Sequence, residues 1–139
     1  MASYSPQYPD TFTDAALRQW IIDFYSTVDT DGAVESIADF LTEDASFTLG
    51  LQGATGRPDI IKLLQSSWDF VRSRSHNLEK VFPFGTNSDS FMMYGTVTYR
   101  LKDGRTIPIE WSGVLNMTKV DGAWKMRSYK VYFAADPAF

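Results

Sequence analysis

The sequence lacks the residues on which most thiol and zinc chemistry depends. It contains no cysteine and a single histidine, which argues against a thiolate nucleophile, a disulfide framework and a zinc site. Positive charge is also scarce, because 13 basic residues face 17 acidic ones and the formal net charge is -4. A negative chain repels phosphate backbones, so we expect no nucleic-acid partner.

Long hydrophobic runs are missing as well. No stretch of about eighteen apolar residues occurs, and the start MASYSPQYPDTF has neither the basic nor the apolar part of a signal peptide. We therefore expect a cytoplasmic protein without a membrane partner. With 139 residues, 44% of them hydrophobic, the chain suits one core. We assign residues 1–12 to an N-terminal tail and 13–139 to a single domain.

Helical periodicity fills the first half of the chain. A first helix is predicted to begin at Thr13, and a second, short helix is capped by Asp31. A brief strand then alternates through Phe47, Leu49 and Leu51, and the segment 50–56 is predicted to be a loop. A third helix opens at Pro58 and ends near residue 73. The apolar stripe of the first helix consists of Leu17, Trp20, Ile21, Phe24, Tyr25 and Val28, and that of the third of Ile61, Leu64, Trp68 and Val71.

Alternating strands fill the second half. One strand starts near His76 and contains Pro83, which cannot donate to a ladder and indicates an edge or a bulge. Asp-Gly pairs at 103–104 and 121–122 predict hairpin turns between the following strands. Odd-numbered residues are predicted to point inward on the two strands before the second turn, whereas the alternation of the last strand fits either direction. This order predicts an α+β fold.

Four segments carry a resemblance to a known group of proteins. They are Phe40-Leu41-Thr42-Glu43-Asp44-Ala45, Gly56-Arg57-Pro58-Asp59, Asp121-Gly122-Ala123-Trp124-Lys125 and Tyr129-Lys130-Val131-Tyr132-Phe133. The chain resembles the SnoaL-like branch of the nuclear transport factor 2-like superfamily, which contains small-molecule cyclases, isomerases and dehydratases. The closing stretch is most similar to fungal members of natural-product pathways. The resemblance implies a cone-shaped barrel, a strongly bent, mostly antiparallel sheet wrapped around three N-terminal helices, with an apolar pocket at its open end.

The resemblance also suggests roles for individual residues. Tyr25 corresponds to the oxyanion-binding tyrosine of ketosteroid isomerase, but the base of that enzyme corresponds to Leu49 and its partner acid falls near Gly113. His76 corresponds to one catalytic histidine of scytalone dehydratase, whose orienting aspartate falls nearest Ser26. The pocket-facing positions of the last strand correspond to Arg127, Tyr129 and Val131.

These correspondences predict a site that moves protons without a metal or a cofactor. His76, Tyr25, Tyr129 and Arg127 are the candidate catalytic residues, with imidazole as base, phenols as oxyanion donors and guanidinium as anchor. Asp29 and Asp31 are interpreted as solvated residues of a turn. The predicted substrate-binding walls are Trp20, Phe24, Phe47, Leu49, Trp68, Tyr99, Trp111 and Val131.

Two functions fit this site. The first is a cofactor-independent isomerase, cyclase or dehydratase acting by general acid–base catalysis on a small hydrophobic polyketide, terpenoid or alkaloid intermediate. The alternative is a non-catalytic small-molecule-binding or dimerisation module of the same fold. We also expect a homodimer formed through the outer face of the sheet, which carries Tyr94, Thr96, Thr98, Val114 and Tyr132.

Overall fold

The computed structural model describes residues 2–86 and 89–135 as three α-helices and one six-stranded sheet. The helices are α1 (Ala15–Val28), α2 (Val34–Ile37), which continues into a 3-10 turn (Ala38–Phe40), and α3 (Arg57–Ser66). The strands are β1 (Leu41–Leu49), β2 (Gln52–Thr55), β3 (Val71–Pro83), β4 (Ser90–Leu101), β5 (Thr106–Val120) and β6 (Ala123–Phe133).

The strands lie in the order β2-β1-β6-β5-β4-β3, and only the β1–β6 pairing among them is parallel. The predicted α+β class, with helices packed inside a mostly antiparallel sheet, is confirmed. The sheet is open, however, with β2 and β3 as its edges, so it does not close into a barrel.

Helix α1 supplies most of the helical part of the core. Its predicted stripe is confirmed as buried from Leu17 to Tyr25, while Val28 is only partly buried. The helix begins one position later than the predicted Thr13 cap, because the Asp14 side chain accepts a hydrogen bond from the Leu17 N–H (3.0 Å). The predicted Asp31 cap of α2 is also wrong, since the residue at that position is Ala33, without a side-chain hydrogen bond.

Helix α3 ends seven residues earlier than predicted, at Ser66. The hydroxyls of Ser66 and Ser67 bond back to the carbonyls of Leu63 and Leu64 (2.7 and 2.6 Å), which competes with continuation of the helix. Trp68 is nevertheless buried. Because Trp68 follows Leu64 by four positions, the apolar pattern continued past Ser66 and predicted a helix that was too long. His76 consequently lies in the middle of β3.

The predicted loop at 50–56 contains the edge strand β2, which forms a hairpin with β1. Gly50 has a positive φ of 61° at the turn, and the neighbouring Leu51 is fully exposed instead of alternating into the core. Pro83 ends β3, which is an edge strand as predicted.

Odd-numbered residues face inward on β4 and β5, as predicted. Strand β3 approaches this layer closely at Gly95, where an added Cβ would lie 2.1 Å from the backbone oxygen of Asn77. The register also shifts there, because Leu78 pairs with Gly95 and Lys80 with Tyr94. Glu79 is thus bulged, and Gly95 makes room for the bend.

A second bulge decides the direction of β6. Met117 pairs with Met126 and Asn116 with Ser128, so Arg127 has no partner on β5. Met126, Tyr129 and Val131 are buried, whereas Arg127 is exposed. The prediction that Arg127 faces inward is therefore wrong, because the extra residue reverses the alternation at that point.

The N-terminal segment runs along the free edge of β3. Ser3 and Gln7 form parallel bridges with Asn77 and Lys80. Ser3 donates to the His76 carbonyl (3.0 Å) and accepts from the Leu78 N–H (2.9 Å). The segment thus covers the edge beside His76. Among the helices described, none is both long enough and apolar enough to cross a membrane.

Candidate active site

The candidate site forms where the C-terminal end of α1 meets the inner face of β3. Asp29 is the C-cap residue of α1, and His76 lies in the middle of β3. An oxygen of the Asp29 carboxylate lies 2.5 Å from His76 Nδ1, and the other accepts the His76 backbone N–H at 2.8 Å. The side chains are only 6% and 12% exposed, respectively, so the pair lies largely out of solvent.

The N-terminal segment completes the surroundings of Asp29. The Tyr4 hydroxyl donates to the carboxylate oxygen that also accepts the His76 backbone N–H, at 2.7 Å. Burial, and then the hydrogen bond to Asp29, raise the pKa of Tyr4 well above its usual value. Tyr4 therefore stays a donor, and Asp29 accepts three hydrogen bonds from the described residues.

This arrangement fixes the proton positions of the imidazole. A carboxylate can only accept, so His76 Nδ1 carries the proton in the neutral ring and Nε2 keeps its lone pair. If Nε2 takes up a proton, the adjacent carboxylate stabilises the resulting imidazolium. The pair therefore has the composition of an oriented general base.

Two tyrosines form a separate pair beside the imidazole. The hydroxyls of Tyr25 and Tyr129 are 2.8 Å apart, and both side chains are buried. Burial is the main cause that raises the pKa of each hydroxyl well above its usual value, so both stay neutral. The Tyr25 ring lies 5.3 Å from the His76 ring, which places the two tyrosines next to the Asp29–His76 dyad.

Trp111 contacts both groups from β5. Its ring centroid lies 5.6 Å from that of Tyr25 and 5.5 Å from that of His76. The indole Nε1 is buried and has no hydrogen-bond partner among the described residues. A buried N–H without a partner costs free energy, so a bound oxygen would satisfy it.

Arg74 supplies the buried guanidinium that the sequence analysis assigned to Arg127. It lies two positions before His76 on β3 and is 7% exposed. Its Nε donates to the Val28 carbonyl at 2.9 Å and its Nη1 lies 3.1 Å from the Ser67 hydroxyl. Burial lowers the pKa of Arg74, while the nearby Tyr99, Asp29 and Asp31 oppose that shift.

The predicted wall residues are buried, except that Leu49 is only partly so. Several of these rings pack directly on one another. Ring centroids of Trp20 and Phe24 are 4.8 Å apart, and those of Phe47 and Tyr129 are 5.0 Å apart. Phe24 and Tyr129 are 5.7 Å apart. The centre of the predicted funnel is therefore filled with aromatic side chains.

A hollow of about 550 Å³ lies outside this site, between the β1–β2 hairpin and α3. It is wide open to solvent and is lined by Ser46, Thr48, Gly53, Ala54, Thr55, Asp59, Lys62 and Leu63. None of the predicted catalytic residues lines it. The Asp29–His76 pair lies apart from this hollow and combines burial with an oriented imidazole.

Solved structures with a similar fold include proteins of bacteria and of a protozoan. A Novosphingobium aromaticivorans protein described as an aromatic ring hydroxylase superposes with a TM-score of 0.74 at 24% identity, over 87% of this chain and 88% of that chain. A second protein of that organism, described as a scytalone dehydratase, gives 0.76 at 21% identity over 86% and 83%. Nuclear transport factor 2 of Cryptosporidium parvum gives 0.67 at 16% identity over 93% and 99%.

The chain has the nuclear transport factor 2-like fold. No family model matches the sequence, and no curated protein matches it. The likeness is therefore one of fold, and the chemistry of this nuclear transport factor 2-like chain has to be argued from its own residues.

Three residues of the site were missed in the sequence analysis, namely Tyr4, which was assigned to the N-terminal tail, Asp29 and Arg74. Asp29 follows Tyr25 by four positions, a spacing that places both on one face of a helix. Arg74 and His76 are two positions apart, and alternation along a strand places them on one face. Both signals were present, but Asp29 looked like a turn residue, and Arg74 fell between the predicted end of the third helix near residue 73 and the strand predicted to start near His76.

No three histidine, aspartate or glutamate side chains gather into a possible metal site within residues 2–86 and 89–135.

Proposed function

We propose that this chain is a cofactor-independent isomerase, cyclase or dehydratase that acts on a small, mainly hydrophobic natural-product intermediate by general acid–base catalysis. The hydrogen bond between Asp29 and His76 is the observation that carries the proposal. An imidazole held by a buried carboxylate beside aromatic rings is suited to removing a proton from an activated carbon. The polyketide, terpenoid or alkaloid nature of the substrate stays a prediction.

The proposed reaction begins with transfer of a proton from an acidic C–H group of the substrate to His76 Nε2. The electron pair of that C–H bond moves to an adjacent carbonyl, which becomes an enolate, and Asp29 stabilises the imidazolium. Return of the proton to a different carbon gives an isomer. Its delivery to a departing hydroxyl gives the dehydrated product and water.

Neutral donors beside His76 support stabilisation of the enolate. In the Tyr25–Tyr129 pair one hydroxyl donates to the other, so one hydroxyl hydrogen is not used within the pair. The unpartnered Nε1 of Trp111 is a further donor. One well-placed donor in a site that excludes water lowers such a barrier by about 3 kcal/mol.

A base-dependent reporter reaction tests the proposal without knowledge of the natural substrate. Nitrobenzisoxazole opens to a coloured cyanophenolate when a base removes its C–H proton, and a tetralone exchanges its α-hydrogens for deuterium in heavy water. We expect the wild type to accelerate both reactions and His76→Gln to lose the acceleration. A wild type no faster than His76→Gln on either compound contradicts the proposal and favours the non-catalytic binding module.

We also propose that the chain forms a homodimer through the outer face of the sheet. Four exposed apolar side chains lie there on strands β3, β4 and β6, namely Phe82, Met92, Tyr94 and Tyr132. Phe82 pairs with Met92, and Ser112 lies between Tyr94 and Tyr132 in the sheet and pairs with both. A two-fold dimer would cover this patch with its own copy. Sedimentation should give a dimer for the wild type and a monomer for Tyr94→Lys. A monomeric wild type at high concentration rejects the proposal.

A further inference from the structure

The guanidinium of Arg74 is a buried charge without an anionic partner. It is 7% exposed, and no carboxylate of the described residues lies within ion-pair distance of it. Its Nη2 is buried and has no hydrogen-bond partner there. The guanidinium also lies over the ring of Trp68, with Cζ 4.2 Å from the ring centroid.

Isolated buried charges are unfavourable, and proteins normally pair them. Asp29 and Asp31 lie near enough to act on Arg74 electrostatically, but neither is within ion-pair distance of it, and the Asp29 oxygens already accept from Tyr4 and His76. The other contacts of Arg74 are neutral, namely the Val28 carbonyl and the Ser67 hydroxyl. An anionic oxygen is therefore the partner that this guanidinium lacks.

The position of Arg74 connects this requirement with the dyad. Arg74 and His76 alternate on β3, so their backbones are separated by roughly 6.6 Å along the strand. The other buried donors without partners in this part of the described chain are the indole Nε1 atoms of Trp68 and Trp111. All three groups donate and none accepts. A ligand for these donors would present acceptor oxygens, and the indole rings suit a flat or aromatic body beside them.

We propose that Arg74 is the recognition residue of a site for aromatic carboxylates, with the carboxylate on Nη2 and the ring system against the tryptophans. Only one part of this inference rests on the proposed function, namely that such an acid is the substrate of the enzyme. The binding itself depends on Arg74 and not on the base. Arginine suits the role because its guanidinium stays charged and its free Nη2 can form a charge-assisted hydrogen bond with a carboxylate oxygen.

A matched pair of probes tests the site. Naphthoate and naphthamide have nearly the same shape, but only the acid carries a charge, and calorimetry measures the affinity of each. We expect the wild type to prefer naphthoate by about tenfold or more, as a charge-assisted hydrogen bond implies. Arg74→Met should remove that preference and leave the affinity for the amide in place. Arg72→Met, which removes an exposed arginine of the same strand, is the control and should keep the preference.

Equal affinity of the wild type for acid and amide overturns the proposal, and so does an unchanged preference in a folded Arg74→Met. Because Arg74 ties α1 to the turn before β3, thermal unfolding must show that this variant is folded. If it is not, nuclear Overhauser contacts between naphthoate and the Trp68 indole of the wild type decide the matter, and their absence overturns the proposal.

His76→Gln separates this inference from the proposed function. It should abolish proton abstraction and retain the preference for naphthoate. If the reporter reactions show no catalysis while the preference follows Arg74, the carboxylate site stands and the enzymatic proposal fails. If catalysis follows His76 and the wild type shows no preference for the acid, the enzymatic proposal stands and the carboxylate site fails.

Discussion

The core contains two neighbouring regions that are built on different principles. The aromatic centre, Phe24, Tyr25, Phe47 and Tyr129, is filled by rings in edge-to-face contact, and its two hydroxyls form one hydrogen bond with each other. The edge site, Tyr4, Asp29, Arg74 and His76, contains charged groups and donors that the protein satisfies only in part. The Tyr25 ring joins the two regions, because it contacts His76.

The difference teaches where a bent sheet can place reactive groups. Inner residues of the central strands face helix α1 and must be apolar or internally paired. At the β3 edge, the last turn of α1 and the N-terminal segment bring backbone and side-chain partners that a central strand does not meet. Charged side chains can therefore be buried at the edge site, where part of their hydrogen-bonding capacity is left without a partner among the described residues.

Disruption of the Asp29–His76 pair should have the largest effect on activity. It tests whether the chemistry belongs to the edge site. Asp29→Asn removes the carboxylate that holds the proton on His76 Nδ1, and we expect the proton-transfer rate to fall by about 10²- to 10⁴-fold. The reporter reaction with nitrobenzisoxazole measures this. Asp31→Asn, an exposed acid two residues away, should keep the wild-type rate. Comparable losses in both variants would mean that general charge, not the dyad, is responsible.

Two glycine-to-alanine changes compare how much space the backbone leaves for a Cβ atom in the two regions. Gly95→Ala places Cβ 2.1 Å from a backbone oxygen, whereas Gly113→Ala meets side-chain atoms of Tyr129 and Trp111 at 3.0 and 3.2 Å. We expect Gly95→Ala to lower the free energy of unfolding by about 3 kcal/mol or more. Gly113→Ala should cost about 1–3 kcal/mol, because rings can shift. Urea unfolding measures both, and the opposite order would refute the close approach of β3.

The hydroxyl pair of the aromatic centre is tested by a double-mutant cycle. Tyr25→Phe leaves the Tyr129 hydroxyl buried without its partner, which should cost about 1–3 kcal/mol of unfolding free energy. Tyr25→Phe combined with Tyr129→Phe should cost clearly less than the sum of the single changes, since no unpaired hydroxyl remains. Strict additivity in thermal or urea unfolding would show that the two hydroxyls do not interact.

Alkaline pH should produce the smallest of these differences. Burial raises the pKa of Tyr25 above its ordinary value of 10.0, so above that pH the unfolded chain loses a proton that the folded chain keeps. The stabilisation is complete below pH 10 and decreases as the pH rises further. Each such phenol contributes a slope of about 1.4 kcal/mol per pH unit. In urea unfolding above pH 10, the free energy of unfolding should therefore fall less steeply with pH in Tyr25→Phe than in the wild type. Identical slopes in the two proteins would contradict burial of a neutral phenol.

Sequence patterns predicted the architecture better than the site. The stripe of α1 and the inward face of β4 and β5 follow from fixed periods of 3.6 and 2 residues, and both were confirmed. Arg127 was misplaced because a single bulged residue reverses the alternation and leaves no mark in composition. Asp29 and Arg74 were missed because their roles depend on contacts with β3 and α1, separated from them by more than forty positions.

The parallel pairing of β1 with β6 has a consequence for how the chain acquires its structure during synthesis. The β1–β2 hairpin is complete by residue 55, yet its neighbour in the sheet, β6, begins only at Ala123. A hairpin of two strands is marginally stable alone. On the ribosome the hairpin can pack on α3, but it gains its neighbouring strand only when nearly the entire remaining chain has been made, and we expect the arrival of β6 between β1 and β5 to be the slow step of folding.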